Sequence, residues 1–167
     1  QWVARGAGTA SVAQPTLAAL IAHRVEFLTA YQDAHYAQRY AHQVERVRRV
    51  EQERCASEEL STTVARYLFK LMAYKDEYEV ARLLTHRDFE ERIRGEFEAG
   101  YTITHYLAPP LLSRRDAHGR SLKSAFGPWI RPAMRWVARL KFLRGSPLDP
   151  FGFTRERREE RALIVAY

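Results

Sequence analysis

The chain has 167 residues, 46% hydrophobic and 28% charged, with a formal net charge of +7. That length supports one domain, or a domain with an appendage, able to bury a core without covalent staples. A single cysteine, Cys55, excludes a disulfide framework and any cysteine-held cluster or zinc site built by this chain alone, and with no apolar run long enough for a membrane span or secretory signal it points to the cytoplasm.

Residues 1–15, rich in Gly and Ala, are expected to be a flexible lead-in to a single domain over 16–167. The start at Gln1 and the end on "ALIVAY" suggest a piece of a longer polypeptide. From Leu17 to Val50 apolar residues recur every three or four positions, which predicts one amphipathic helix from 17 to 52, started by Pro15 or Thr16. Ser57 is placed to cap a second helix over Glu58–Leu84 with a stripe of Val64, Tyr67, Leu68, Leu71, Tyr74, Tyr78 and Ala81, and the short gap between them predicts an antiparallel hairpin. Thr85, three residues before Asp88, reads as the cap of a third helix, Arg87–Glu98, stopped by Gly100. "YTITHYL" alternates as a strand does, Pro109-Pro110 ends it, and Asp116–Gly119 suits a hairpin turn. A fourth helix is expected from Trp129–Arg131 to Arg144 with Pro132 in its first turn and Gly145 as its stop. "DPFG" reads as a type I turn, and Thr154 as the cap of a last helix to Tyr167. The fold class is therefore α+β and mostly α: a long helical hairpin, a small β-sheet or hairpin, and two further C-terminal helices.

The basic excess is 23 Arg against 4 Lys. Such a skew arises in GC-rich genomes without selection for binding, so its distribution is more informative than its total. From Ser113 to Arg144 nine Lys or Arg accompany one acid, Asp116. Arg114 and Arg115 open this segment, and Arg131, Arg135 and Arg139 stack at i, i+4, i+8 on the fourth helix. Mutually repelling guanidiniums favour an acidic neighbour or a phosphate. Trp129, Ala133, Trp136, Val137 and Leu140 share another face, expected to pack.

The densest charged stretch is "YKDEYEVARLL", with Lys75, Asp76, Glu77 and Glu79 between Tyr74 and Tyr78. On a helix, Lys75–Glu79 and Glu79–Arg82 are spaced for ion pairs, and Asp76 and Glu77 point about 100° apart, unlike a paired acid and base. It reads as a salt-bridged edge and a candidate contact with a neighbouring domain, with no catalytic residue assigned. His35 and His42 stand two turns apart, the other histidines are scattered, and no metal, nucleotide or phosphate-loop motif is present. A free-standing enzyme would have to draw on Asp76, Glu77 or His105.

The blocks "LTAYQDAHYAQRY", "LFKLMAYKDEYEVARL", "HYLAPPLLSRRD" and "FGPWIRPAMRWVARLKFLRGSPLDPFGFTRERREERALI" resemble the C-terminal region of the bacterial fused-chain indolepyruvate ferredoxin oxidoreductases, over Leu17–Tyr167. The resemblance implies a parent that oxidatively decarboxylates aryl 2-oxo acids to acyl-CoA with thiamine diphosphate, magnesium and iron–sulfur clusters, passing electrons to ferredoxin. No residue here corresponds to those cofactor sites, so no cofactor is expected in this segment. The resemblance supplies the parent's activity and not this segment's part in it. The long helices, the basic 113–144 segment and the arginine stripe point to a structural or assembly role, with other domains or subunits of the parent as partners, ferredoxin or coenzyme A as candidates for the arginine-rich face, and a homo-oligomer. The alternative is a basic nucleic-acid-binding module.

Overall fold

The computed structural model describes residues 15–98, 100–108 and 122–167. Among these it is mostly α, with seven α-helices and one two-stranded antiparallel sheet, the expected fold class. The chain divides into two compact units, Gln1–Phe69 and Lys70–Tyr167.

In the first unit the single long helix is replaced by two, α1 (Leu17–Tyr31) and α2 (Ala34–Cys55). The break has a local cause. Asp33 is extended, and its carboxylate accepts a hydrogen bond from the Tyr36 amide at 2.7 Å, a helix-start bond that competes with helix continuation. Apolar spacing runs through the break unchanged, so periodicity alone could not show it. α1 and α2 pack against each other. The α2 end is closed by Ala56 in the left-handed region at φ 49°.

The expected helix over Glu58–Leu84 is also two: α3 (Glu59–Met72) and α4 (Glu77–Thr85). The buried stripe of α3 is Ser61, Ala65, Leu68 and Met72, whereas Tyr67 of the expected stripe is 53% exposed. Small Ser61 and Ala65 admit the long side chains of the neighbouring helices. Tyr40 of α2 donates to the Ala65 carbonyl at 3.0 Å, and Arg24 of α1 donates to the same oxygen while its guanidinium lies 4.6 Å from the Phe69 ring centre. Phe69 also meets Phe27 and Tyr40 edge-on. These contacts run α2 antiparallel to α3 and place α1 beside both, so the hairpin becomes a three-helix unit around Leu28, Tyr31, Tyr40 and Val44. Glu51, 7% exposed, caps α3 from α2: its carboxylate accepts from the amides of Leu60 at 2.9 Å and Ser61 at 2.8 Å, and from the Ser61 hydroxyl.

The second unit follows with α5 (Arg87–Glu96), β1 (His105–Leu107), β2 (Ser124–Phe126), α6 (Ile130–Arg139), a short 3-10 turn Leu140–Leu143 and α7 (Arg155–Ala166). Thr85 does not cap α5. It is the last residue of α4, donating to the Ala81 carbonyl at 2.7 Å, and His86 takes the cap. β1 is shorter than the expected strand and pairs antiparallel with β2 in the register His105 with Phe126 and Leu107 with Ser124. The expected Pro109-Pro110 stop and the Asp116–Gly119 turn lie outside the described residues. α6 begins as expected, with Pro132 in its first turn, but ends at Arg139 instead of Arg144; the 3-10 turn follows it, and Gly145 comes after that turn at φ 76°. Thr154 caps α7, its hydroxyl accepting from the Arg157 amide at 3.3 Å. α4 and α6 pack together, and Tyr78, Ala81 and Met134 are among the buried residues there.

Candidate interaction surface

The charged cluster at the start of α4 anchors the C-terminal part of the chain. Asp76 is 3% exposed and N-caps α4 by accepting from the Glu79 amide at 2.8 Å. Its carboxylate also receives Arg144, through Nε and through Nη2 at 2.9 Å, and the Arg144 guanidinium lies 5.5 Å from the Tyr78 ring centre. Tyr78 donates its hydroxyl to Asp149 Oδ1 at 3.0 Å. Burial first, then the Asp149 hydrogen bond and charge, raise the Tyr78 phenol well above its ordinary range.

Asp149 in turn accepts from the Gly145 amide at 2.9 Å and the Phe151 amide at 3.1 Å, so the "DPFG" turn closes around one carboxylate. A Cβ at Gly152 would lie 2.8 Å from Asp149 Oδ2, which requires the glycine. Glu77 faces Arg157 at 3.4 Å, and that guanidinium sits 5.3 Å from the Tyr74 ring. Burial, helped by the Asp76 charge, pushes the Tyr74 phenol up to about 12. Glu79, 2% exposed, holds Arg82 through two hydrogen bonds of 2.8 and 2.7 Å, the expected i,i+3 pair. The expected Lys75–Glu79 spacing does not exist, because Lys75 precedes the helix.

Lys75, Asp76 and Glu77 share one edge of a cleft of about 320 Å³, whose walls include Val80, Ile130, Ala133 and Val137. The candidate acids are committed elsewhere, Asp76 to Arg144 and Glu77 to Arg157. His105 is 5% exposed, its Nε2 has no hydrogen-bond partner among the described residues, and burial together with the Arg131 charge lowers its pKa. Among the described residues no group of three His, Cys, Asp or Glu side chains stands close enough to hold a metal ion. No described helix is long and apolar enough to cross a membrane.

The arginine stripe of α6 is split. Arg131 is bound by Glu90 of α5, and Arg135 lies 3.5 Å from the same carboxylate. Arg139 forms no ion pair among the described residues and instead lies 5.6 Å from the Trp136 ring centre. Arg114 and Arg115 lie outside the described residues. The buried face of α6 is centred on Met134, which leaves Trp129 69% and Trp136 65% exposed, contrary to the expectation that they pack. Two stripes at helical spacing are present, 129/133/136/140 and 130/134/137, and the second faces α4. The signal available in the sequence was Met134, set between Ile130 and Val137 at steps of four and three.

No curated protein and no solved structure matches the chain. Residues 17–167 match the model of a family of unknown function, DUF6537, and the chain belongs to that family.

Proposed function

We propose that this chain is a non-catalytic assembly segment of an aryl 2-oxo acid:ferredoxin oxidoreductase, with thiamine diphosphate, magnesium and iron–sulfur clusters carried by other parts of the parent polypeptide. The parent assignment is supported by the sequence blocks that resemble the indolepyruvate oxidoreductases. The non-catalytic role rests on one observation: Asp76, Glu77 and Tyr78, the most chemically suggestive cluster in the chain, direct their polar atoms to Arg144, Arg157 and Asp149. Groups held this way fix a fold and are not presented to a substrate. The partners in this reading are other domains or copies of the parent, with ferredoxin or coenzyme A as further candidates for the α6 face, in the cytoplasm.

The test uses the parent polypeptide with and without residues 17–167. Removal is expected to change its oligomeric mass in light scattering, while the 167-residue chain alone neither binds thiamine diphosphate nor reduces ferredoxin with indolepyruvate. Turnover or thiamine binding by the isolated chain would overturn the reading. Nucleic-acid binding is the second reading, favoured by exposed indoles beside arginine. It requires a steep loss of oligonucleotide affinity with rising salt.

A further inference from the structure

The exposed stripe of α6 has the pattern of an unfilled helix–helix seam. Trp129, Ala133, Trp136 and Leu140 follow one another at steps of four, three and four, the spacing with which one helix meets another along a coiled-coil seam. A seam of this kind inside a folded unit is normally covered, and here its two indoles stand mostly in solvent. Ala133 leaves a gap between them and opens onto the apolar cleft, so the stripe has both ridges and a socket. Arg135 and Arg139 flank it on one side, and α6 carries no acidic residue.

We propose that this seam docks an amphipathic helix from an acidic protein partner: aliphatic side chains at seam spacing lie over Trp129 and Trp136 and reach toward Ala133, and carboxylates at the flanking positions meet Arg135 and Arg139. The charge selects the occupant. A planar guanidinium over an indole, as Arg139 lies over Trp136, offers a carboxylate two parallel donors, while the exposed indoles offer an aliphatic chain a flat surface, and Trp with Arg dominates the binding energy of protein interfaces. The indoles are two helical turns apart, about 10.5 Å, which matches residues two turns apart on a partner helix.

A phosphate polymer or an anionic lipid surface fits less well. Such partners need several cations in a row, and Glu90 holds Arg131, leaving two arginines of the stripe toward solvent: Arg135, 58% exposed although 3.5 Å from the same carboxylate, and Arg139, which forms no ion pair among the described residues. The inference deepens the assembly reading and rests on it, by naming what kind of partner the segment would engage.

The test is a fluorescence titration of the full 167-residue chain carrying Trp2→Phe, so that only Trp129 and Trp136 emit. The probe is a 21-residue helical peptide with Leu at the seam positions and Glu at the flanking ones. Matched arms use the peptide with Lys in place of Glu, oligothymidylate, and phosphatidylserine vesicles. A saturable blue shift with the Glu peptide is expected, absent with the Lys peptide and weakened about tenfold by Arg139→Ala or Trp136→Ala, with helical circular dichroism unchanged. No shift with the Glu peptide, an equal shift with both peptides, or a stronger response to oligothymidylate or vesicles overturns the proposal. Its failure leaves the deletion result on the parent polypeptide untouched, so the two readings fall separately.

Discussion

Each unit closes around a buried tyrosine hydroxyl, and the two differ in what accepts it. Tyr40 donates to a neutral carbonyl, Ala65, which a second donor from Arg24 also satisfies. Tyr78 donates to a carboxylate, Asp149, which two backbone amides of its own turn also bind. The first unit is thus an aromatic helix packing with local polar ties, the Tyr40–Ala65 bond and the Glu51 cap of α3. The second is tied by charged groups far apart in sequence: Asp76 with Arg144, Glu77 with Arg157, Tyr78 with Asp149. Neutral packing tolerates the loss of one partner, because the remaining groups still exclude water. Buried charge does not, since each ion left behind keeps its full desolvation cost. The comparison places the weak points of the molecule in the second unit.

The sharpest way to break the comparison is Asp76→Ala. Both groups of the pair are almost fully buried, Arg144 with 6% of its side chain exposed. Removing Asp76 breaks the buried ion pair and deletes the α4 cap, and the expected loss is about 3–5 kcal/mol. Urea unfolding followed by hydrogen exchange measures it. Amides of α4, α6 and the 145–152 turn should lose protection while those of α1 and α2 keep theirs. Loss of protection spread equally over both units would show that the charged ties do not belong to the second unit alone.

The same deletion in both units sharpens it further. Tyr78→Phe removes a hydrogen bond to a charged acceptor and is expected to cost about 1.5–3 kcal/mol, whereas Tyr40→Phe, with Arg24 still on the Ala65 carbonyl, should cost about 0.5–1.5 kcal/mol. Parallel denaturation curves give the difference directly, and equal losses would remove the distinction between neutral and charged ties. The raised Tyr78 phenol adds a sign. Its contribution is full below the unfolded phenol value near 10 and declines as pH rises above it.

These differences explain what could be read from the residues alone. Helix content, the α6 start with Pro132 in its first turn and the Thr154 cap were legible, because each depends on a few neighbouring positions. The two helix breaks were not. Asp33 and Asp76 both sit inside unbroken apolar spacing, and a cap signal there competes with a continuous stripe of equal strength. The Asp76 break depends in addition on Arg144, whose approach no local pattern announces. On α6 the two stripes are equally periodic, so the Met134 spacing marks a second candidate face, and the position of α4 decides that Met134 turns inward and the tryptophans outward. Of the charged cluster, the Glu79–Arg82 pair was legible from its spacing. The cluster's partners from residues 144–157 required the fold.

The smallest expected effect concerns the one buried acid of the first unit. Burial pushes Glu51 upward, but hydrogen bonds from the Ser61 hydroxyl and the Ser61 and Leu60 amides outweigh it and hold the carboxyl below its ordinary value. A lowered value in the folded state means that the contribution is present above the unfolded carboxyl value near 4.3 and is lost as pH falls through the lower, folded one. Glu51→Gln keeps the shape and one acceptor oxygen but removes the charge, so the variant should be slightly less stable than the parent chain at neutral pH. The gap between them should narrow on acidification as pH falls through the parent carboxyl's lowered, folded value, because that carboxyl is then protonated as well. Thermal unfolding of both chains from pH 7 to pH 3 checks this. A gap that does not narrow at all on acidification would assign the Glu51 effect to packing, and the first unit would then contain no charge-dependent tie at its α2–α3 corner.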